Sequence, residues 1–188
     1  MHHPSIYIVA GPRSCGKSTF IERCKTRSGL TLPSELSGLI DAHGPVYFME
    51  LADQVLPDDR DLLVHVDLVT PFADLLISSE QALASRLHAK AFSEFPGAEL
   101  FKNCAELKVL TLRIPRTTTL RRWLRRSAEQ GRDTVRTVMA QLYSDAMGET
   151  GYSALYDAWD RYTASLPNAT TWNVLESSET QNYSLVRA

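Results

Sequence analysis

The chain predicts a three-layer α/β fold, with a mainly parallel five-stranded sheet carrying helices on both faces. Three observations predict it. Short apolar, β-branched runs alternate with stretches of helical periodicity along the whole length. The first run, Ile6-Tyr7-Ile8-Val9-Ala10, passes directly through a glycine-bearing turn (Gly11 to Gly16) into a helical stretch. The length, 188 residues with 44% hydrophobic and 22% charged residues, suits one domain able to bury such a sheet. No repeat, low-complexity tract or linker divides the chain, so residues 1–188 are expected to form one domain.

The elements follow in order. After the first strand, Phe20, Ile21 and Cys24 repeat at helical spacing, and Gly29 is placed to stop that helix. Residues 30–45, with Pro33, Gly38, Gly44 and Pro45, read as a long loop or broken helix. Val46 to Glu50 reads as a second strand and Leu62 to Asp67 as a third, separated by the acidic turn at Pro57 to Asp61. Thr70 and Pro71 suit a helix start, after which Phe72, Leu75, Leu76, Leu83, Leu87 and Ala91 stripe a helical segment ending at Phe95-Pro96-Gly97. Leu107 to Ile114 forms a fourth strand, halted by Pro115.

A helix beginning near Thr117 places Leu120, Trp123, Leu124 and Ala128 on one side and Arg121, Arg122, Arg125 and Arg126 on the other. Gly131-Arg132 interrupts it. Asp133 can cap a further helix (Val135, Val138, Met139, Leu142, Ala146) that ends at Gly148. Tyr152, Leu155, Tyr156, Trp159 and Tyr162 stripe another, stopped by Pro167, and this aromatic stripe reads as core packing rather than a base-stacking platform. Thr171 to Leu175 is a fifth strand, and the polar tail from Glu176 is expected to be weakly ordered.

The turn after the first strand carries the chemistry. Gly11-Pro12-Arg13-Ser14-Cys15-Gly16-Lys17-Ser18 matches G-x-x-x-x-G-K-[ST], the phosphate-binding P-loop pattern. Glycines let backbone N–H groups turn inward, and the start of the following helix adds the positive end of its dipole. Gly11, Arg13, Ser14, Cys15, Gly16, Lys17, Ser18 and Thr19 are therefore candidate nucleotide-binding residues, with Lys17 reaching the β- and γ-phosphates. The Ser18 hydroxyl is a candidate ligand of Mg²⁺. Asp67, closing an apolar strand, has the form of a Walker-B carboxylate and is a candidate for metal and catalysis; a plain turn residue has the same form. Asp41, in the loop before the second strand, is the second candidate for a working carboxylate. His65 reads as a hydrogen-bonded structural histidine. Cys15 sits where a helix N-terminus could lower its thiol pKa for a redox role, or it simply fills the turn.

Charge is unevenly spread. The net charge is −2, yet residues 113–136 hold eight of the 20 basic residues against Glu129 and Asp133, a net +6 that leaves −8 elsewhere. The stripe contains arginine and no lysine. A solvated basic face explains such a stripe by default, while guanidinium forks also suit phosphate. Arg121, Arg125 and Arg126 are candidate catalytic residues, Arg132 a candidate nucleotide contact, and 116–136 a candidate lid. Three cysteines without metal-like spacing, no signal-peptide start and no apolar run of membrane-spanning length fit a cytoplasmic protein without a membrane partner.

In layout the chain resembles the nucleotide and small-molecule kinase branch of the P-loop nucleoside triphosphate hydrolase superfamily. The P-loop carries the likeness, together with Leu112-Arg113-Ile114-Pro115-Arg116-Thr117-Thr118-Thr119-Leu120-Arg121-Arg122 and the Arg125-Arg126 pair, which is similar to the strand, proline and R-x-x-x-R entry to the lid in those kinases. Two departures stand out: the acidic catalytic signature before the acceptor site has no clear counterpart, and the flap between Arg126 and Arg132 is very short. The resemblance implies Mg²⁺-dependent transfer of the ATP γ-phosphoryl group to a small-molecule or nucleotide acceptor. A P-loop sulfotransferase is the enzymatic alternative, disfavoured by the Gly16-Lys17-Ser18 ending. A nucleotide-gated ATPase or binding module is the other, with nucleic acid as a partner for the arginines.

Overall fold

The computed structural model describes residues 5–28, 30–48, 51, 59–69, 87, 92–94, 97–129, 134–177 and 182–188, except for the side chains of 134–147. Among them a six-stranded sheet runs in the order β2-β3-β1-β4-β5-β6. Its strands are β1 (Ser5–Gly11), β2 (His43–Tyr47), β3 (Leu62–Asp67), β4 (Glu106–Arg113), β5 (Ala169–Glu176) and β6 (Tyr183–Arg187). All neighbours are parallel except β5 and β6. The helices are α1 (Lys17–Thr26), α2 (Ala98–Asn103), α3 (Arg116–Glu129) and α4 (Thr134–Ala164), with a 3-10 helix at Ser34–Ile40.

β1 lies at the centre of the sheet, and all seven of its residues are buried. Its side chains alternate between two cores, as the two-residue period of a strand requires. Ile6, Ile8 and Ala10 join Leu62, Val64, Val66, Leu107 and Val109 in packing against Leu155 and Trp159 of α4. Tyr7 and Val9 join Leu63, Leu110, Leu112, Trp172 and Val174 in packing against Phe20, Ile21 and Cys24 of α1. The sheet is thus covered on both faces. The stripe expected as core is core: Tyr152, Leu155, Tyr156, Trp159 and Tyr162 are all buried. The polar tips of three of them are satisfied, with Trp159 Nε1 donating to Thr111 Oγ1, and Tyr152 and Tyr156 hydroxyls donating to the carbonyls of Ile114 and Leu112.

The structure differs from the expected elements in several places. The sheet has six strands rather than five. The sixth comes from the tail expected to be weakly ordered: β6 pairs antiparallel with β5, and its Tyr183 buries edge-on against Phe20 of α1 at 5.2 Å. The second strand is His43–Tyr47, starting earlier than Val46, and the preceding loop holds the 3-10 helix, whose Leu36 and Leu39 are fully buried. The helices expected on either side of Gly148 are both present: the span labelled α4 is two helices meeting at a non-helical break at Gly148 itself (φ 50°, ψ −171°). Helix α1 ends with Arg27 in the left-handed conformation, a cap that donates back to Arg23 and Cys24 carbonyls. Gly29, the Thr70-Pro71 helix start and the Gly131-Arg132 interruption lie outside the described residues.

Candidate functional site

The turn between β1 and α1 is built to leave donors facing outward. Gly16 caps α1 in the left-handed region at φ 103°, and Ser14 sits there too at φ 62°. A Cβ on Gly11 would come within 2.5 Å of Cys15 Sγ, so close approach favours glycine there, whereas at Gly16, where a Cβ would stand 3.3 Å from Arg122 Nη1, the backbone conformation is the stronger demand. No side chain caps the start of α1, and its first turn contains no acid. A helix N-terminus behind a left-handed turn is an anion-binding concavity. Ser14 Oγ, buried in this turn, finds no hydrogen-bond partner.

Lys17 is buried and folds back over the turn, its Nζ donating to the carbonyls of Gly11 (2.7 Å) and Pro12 (2.8 Å). Among the described residues it has no carboxylate partner. Cys15 is fully buried beneath it. Burial pushes the Cys15 thiol above its ordinary pKa, and the nearby Lys17 charge only partly offsets this. The lowered pKa considered for a redox role is therefore absent: Cys15 packs as a neutral thiol.

Asp67 ends β3 and lies directly across from Gly11 in the parallel pairing of β3 with β1. One carboxylate oxygen accepts the Val69 N–H at 3.0 Å, and the Leu68 N–H donates to the Gly11 carbonyl. This lashes the end of β3 to the turn and leaves the second Asp67 oxygen without a described partner. Ser18 is exposed at the start of α1, with its hydroxyl likewise unengaged among the described residues. A hydroxyl and a single carboxylate oxygen suit a hydrated Mg²⁺ that takes its other ligands from water and phosphate. Among the described residues no group of three or more His, Cys, Asp or Glu side chains could hold a metal by itself. Asp41 caps the end of the 3-10 helix, where its N–H donates to the Gly38 carbonyl.

His65, one position before Val66 on β3, shares the α1 face of the sheet with Leu63 and Asp67. It pairs in register with Val9 on one side and Tyr47 on the other. Only 7% of it is exposed, and its Nε2 has no hydrogen-bond partner. The expectation of a hydrogen-bonded structural histidine is therefore corrected at that nitrogen. Burial first, then the charge of Lys17, lowers its pKa from 6.5 to about 4 against a weaker opposing pull from Asp67. The ring is neutral at physiological pH.

Of the arginine stripe on α3, the residue brought to the turn is Arg122. Its Nη1 donates to the Cys15 carbonyl at 3.1 Å, and its Nη2 donates to both oxygens of Glu176 at 2.8 and 2.7 Å. Glu176 closes β5, so one guanidinium ties three segments together. Arg121, Arg125 and Arg126 lie on the exposed side of α3, and Arg125 pairs with Glu129 one turn on. Arg13 is exposed and lies over the Trp123 ring at 5.9 Å. Thr19 is exposed beside Ser18; Arg132 lies outside the described residues. Sequence reasoning placed Arg122 in the stripe without selecting it and passed over Glu176. The available signal was that Glu176 follows an apolar strand just as Asp67 does, so both acids emerge at one end of the sheet.

No protein-family model matches the chain, and no curated protein sequence matches it significantly. Among the described residues no helix is long and apolar enough to cross a membrane.

Proposed function

We propose that the protein is an ATP- and Mg²⁺-dependent phosphotransferase of the P-loop type, acting on a small-molecule or nucleotide acceptor. The observation that carries this reading is Lys17: a buried ammonium whose partners are two carbonyls and the Cys15 sulfur, with no carboxylate among the described residues, at the mouth of a left-handed turn whose helix start lacks any acid. Such an arrangement is stabilised by an incoming polyphosphate, which supplies the missing negative charge.

In the reaction, the acceptor hydroxyl oxygen forms a bond to the γ-phosphorus as the bond from that phosphorus to the bridging oxygen breaks. ADP leaves, and the hydroxyl proton passes to Asp67 or to water. Mg²⁺, when bound, neutralises charge on the β- and γ-oxygens. Lys17 holds those oxygens, Ser18 and Asp67 are the metal-side residues, and the N–H groups of Gly16 to Thr19 cradle the phosphates. Ser14 supplies its unpartnered hydroxyl to the same anion. Arg122 keeps the turn in shape through Cys15 and Glu176. Arg121, Arg125 and Arg126 are left to meet charge that develops on the transferring group.

The test is ADP release from MgATP, alone and against nucleosides, nucleotides, sugars and antibiotic-like alcohols. Strong stimulation by one acceptor, abolished in Lys17→Ala, is the expected result. Slow acceptor-independent hydrolysis with tightly bound nucleotide would replace this reading with a nucleotide-gated binding module.

A further inference from the structure

Beside the turn, the sheet offers a second wall that the phosphates do not use. His65 lies two residues before Asp67 on the same strand face, and Tyr47 stands next to it on β2. The two rings are 5.1 Å apart, tilted by 33°. They differ sharply in exposure: His65 is 7% exposed, whereas Tyr47 is 52% exposed, one of few large hydrophobic side chains open to solvent among the described residues. A buried imidazole nitrogen without a partner carries the desolvation cost of a polar group with none of the compensation. A ligand group that reached it would recover that cost.

The charges acting on this wall narrow the class of ligand. Lys17 and Asp67 are the two charged groups whose fields act on the imidazole. Lys17 is directed at the turn, and Asp67 repels anions, so among the described residues the wall has no arginine or lysine of its own to bind an acceptor phosphate. A hydroxyl can both donate and accept, so it matches the unpartnered Nε2 whether or not that nitrogen carries hydrogen. A half-exposed tyrosine ring offers a flat apolar face to a ring on the same molecule.

We propose that His65 and Tyr47 form the acceptor-reading wall of the site. The acceptor is then an unphosphorylated, ring-bearing hydroxyl compound: His65 hydrogen-bonds one of its hydroxyls, and Tyr47 covers its ring. His65 is a specificity-determining residue, and the phosphoryl chemistry stays with Lys17 and Asp67. The inference rests on the phosphotransferase reading above and narrows its acceptor.

The experiment has two parts, so that the two ideas fail separately. Binding of a trinitrophenyl-ATP probe with Mg²⁺ to wild type and Lys17→Ala tests the nucleotide site alone; no binding to wild type removes the reading on which this inference rests. With binding established, ADP release is measured with adenosine, uridine and pyranose sugars against AMP, UMP and glycerol. Ring compounds without phosphate are expected to stimulate turnover at least about tenfold more than the others. His65→Leu should raise the acceptor KM about tenfold, the upper range for one lost hydrogen bond, with the KM for MgATP unchanged. His65→Gln, which keeps a polar group at that reach, should recover most of the loss. Tyr47→Ala, at a half-exposed position that spares the core, should raise the acceptor KM several-fold and serves if His65→Leu does not fold. Preference for AMP, UMP or glycerol, stimulation by none of the six, or an acceptor KM unchanged in Tyr47→Ala and in folded His65→Leu would overturn the proposal.

Discussion

Among the described residues two lysines are buried, one toward each end of the sheet's strands, and their surroundings are opposite. Lys108, toward the N-terminal end of β4, lies over the Tyr7 ring, reaches the Tyr7 hydroxyl, and pairs with Glu106 at 3.1 Å. Ser5 completes that cluster by donating its hydroxyl to Glu106 and its N–H to Asp61. Burial opposes the charge of Lys108, but Glu106 and Tyr7 outweigh it and hold its pKa above 10.5. Lys17, at the other end, is equally buried and has two carbonyls and the Cys15 sulfur as partners, with no carboxylate among the described residues. Unpartnered Ser14 Oγ and His65 Nε2 lie on the same side as Lys17. A closed polar cluster stabilises a fold; under the proposed function, the open cluster around Lys17 is completed by the phosphates.

The comparison breaks most easily at the two lysines. Lys17→Ala should cut ATP-dependent turnover by at least about a hundredfold while the thermal unfolding midpoint barely moves. Lys108→Ala should do the reverse, destabilising the chain by about 1–3 kcal/mol with nucleotide binding unchanged. Large stability loss in the first variant, or lost binding in the second, would dissolve the contrast.

Next in size is Arg122→Ala. It strands Glu176, whose side chain is 10% exposed, and should cost about 2 kcal/mol. Arg125→Ala should stay within about 0.5 kcal/mol because its partner is solvent-facing Glu129. Equal destabilisation by the two would show that Arg122 does not brace the turn. Gly11→Ala should cost about 1–3 kcal/mol by driving a methyl group into Cys15 Sγ. Adding Cys15→Ala should recover part of that loss, and no recovery would place the strain elsewhere.

The smallest effect belongs to the closed end. The Ser5 hydrogen bond, then those of Lys108, hold the Glu106 carboxyl below its ordinary 4.5 against a modest cost of burial. A depressed folded pKa contributes stability that is present above pH 4.5 and is lost as pH falls from there through the folded value. Denaturant titrations of wild type and Glu106→Gln should therefore converge below pH 4.5, with a gap that stays small because Glu106 is half exposed. A gap that widened on acidification would reverse the assignment.

Much of the fold was legible because β1, β3 and β4 are mostly apolar runs, a pattern that parallel strands buried on both faces write into sequence. β6 escaped notice for the opposite reason. Tyr-Ser-Leu-Val-Arg is an edge strand with one deeply buried side chain, Tyr183, and local composition cannot reveal a partner strand beyond a polar stretch of sequence. At the site, the glycines, Lys17 and Ser18 were readable as a spaced motif, since the loop's own backbone dictates them. Arg122 was not singled out from its three neighbours. A helical period gives a side of α3, but which arginine meets Cys15 depends on where Glu176 ends β5. His65 was read as satisfied because buried histidines usually are; its empty nitrogen became visible only once Tyr47 and Val9 stood on either side of it.

The sixth strand bears on how the turn acquires its shape in time. Gly16 faces the Tyr183 hydroxyl as well as Arg122, whose own anchor is Glu176. A loop encoded near the start of the chain is therefore held by groups that leave the ribosome more than a hundred residues later. During vectorial synthesis the early strands can pair while the loop still lacks its braces. Nascent chains stalled before residue 176 would carry every glycine of the loop, yet the loop would not be locked. The turn therefore gains its full set of contacts only after β5 and β6 have followed it out.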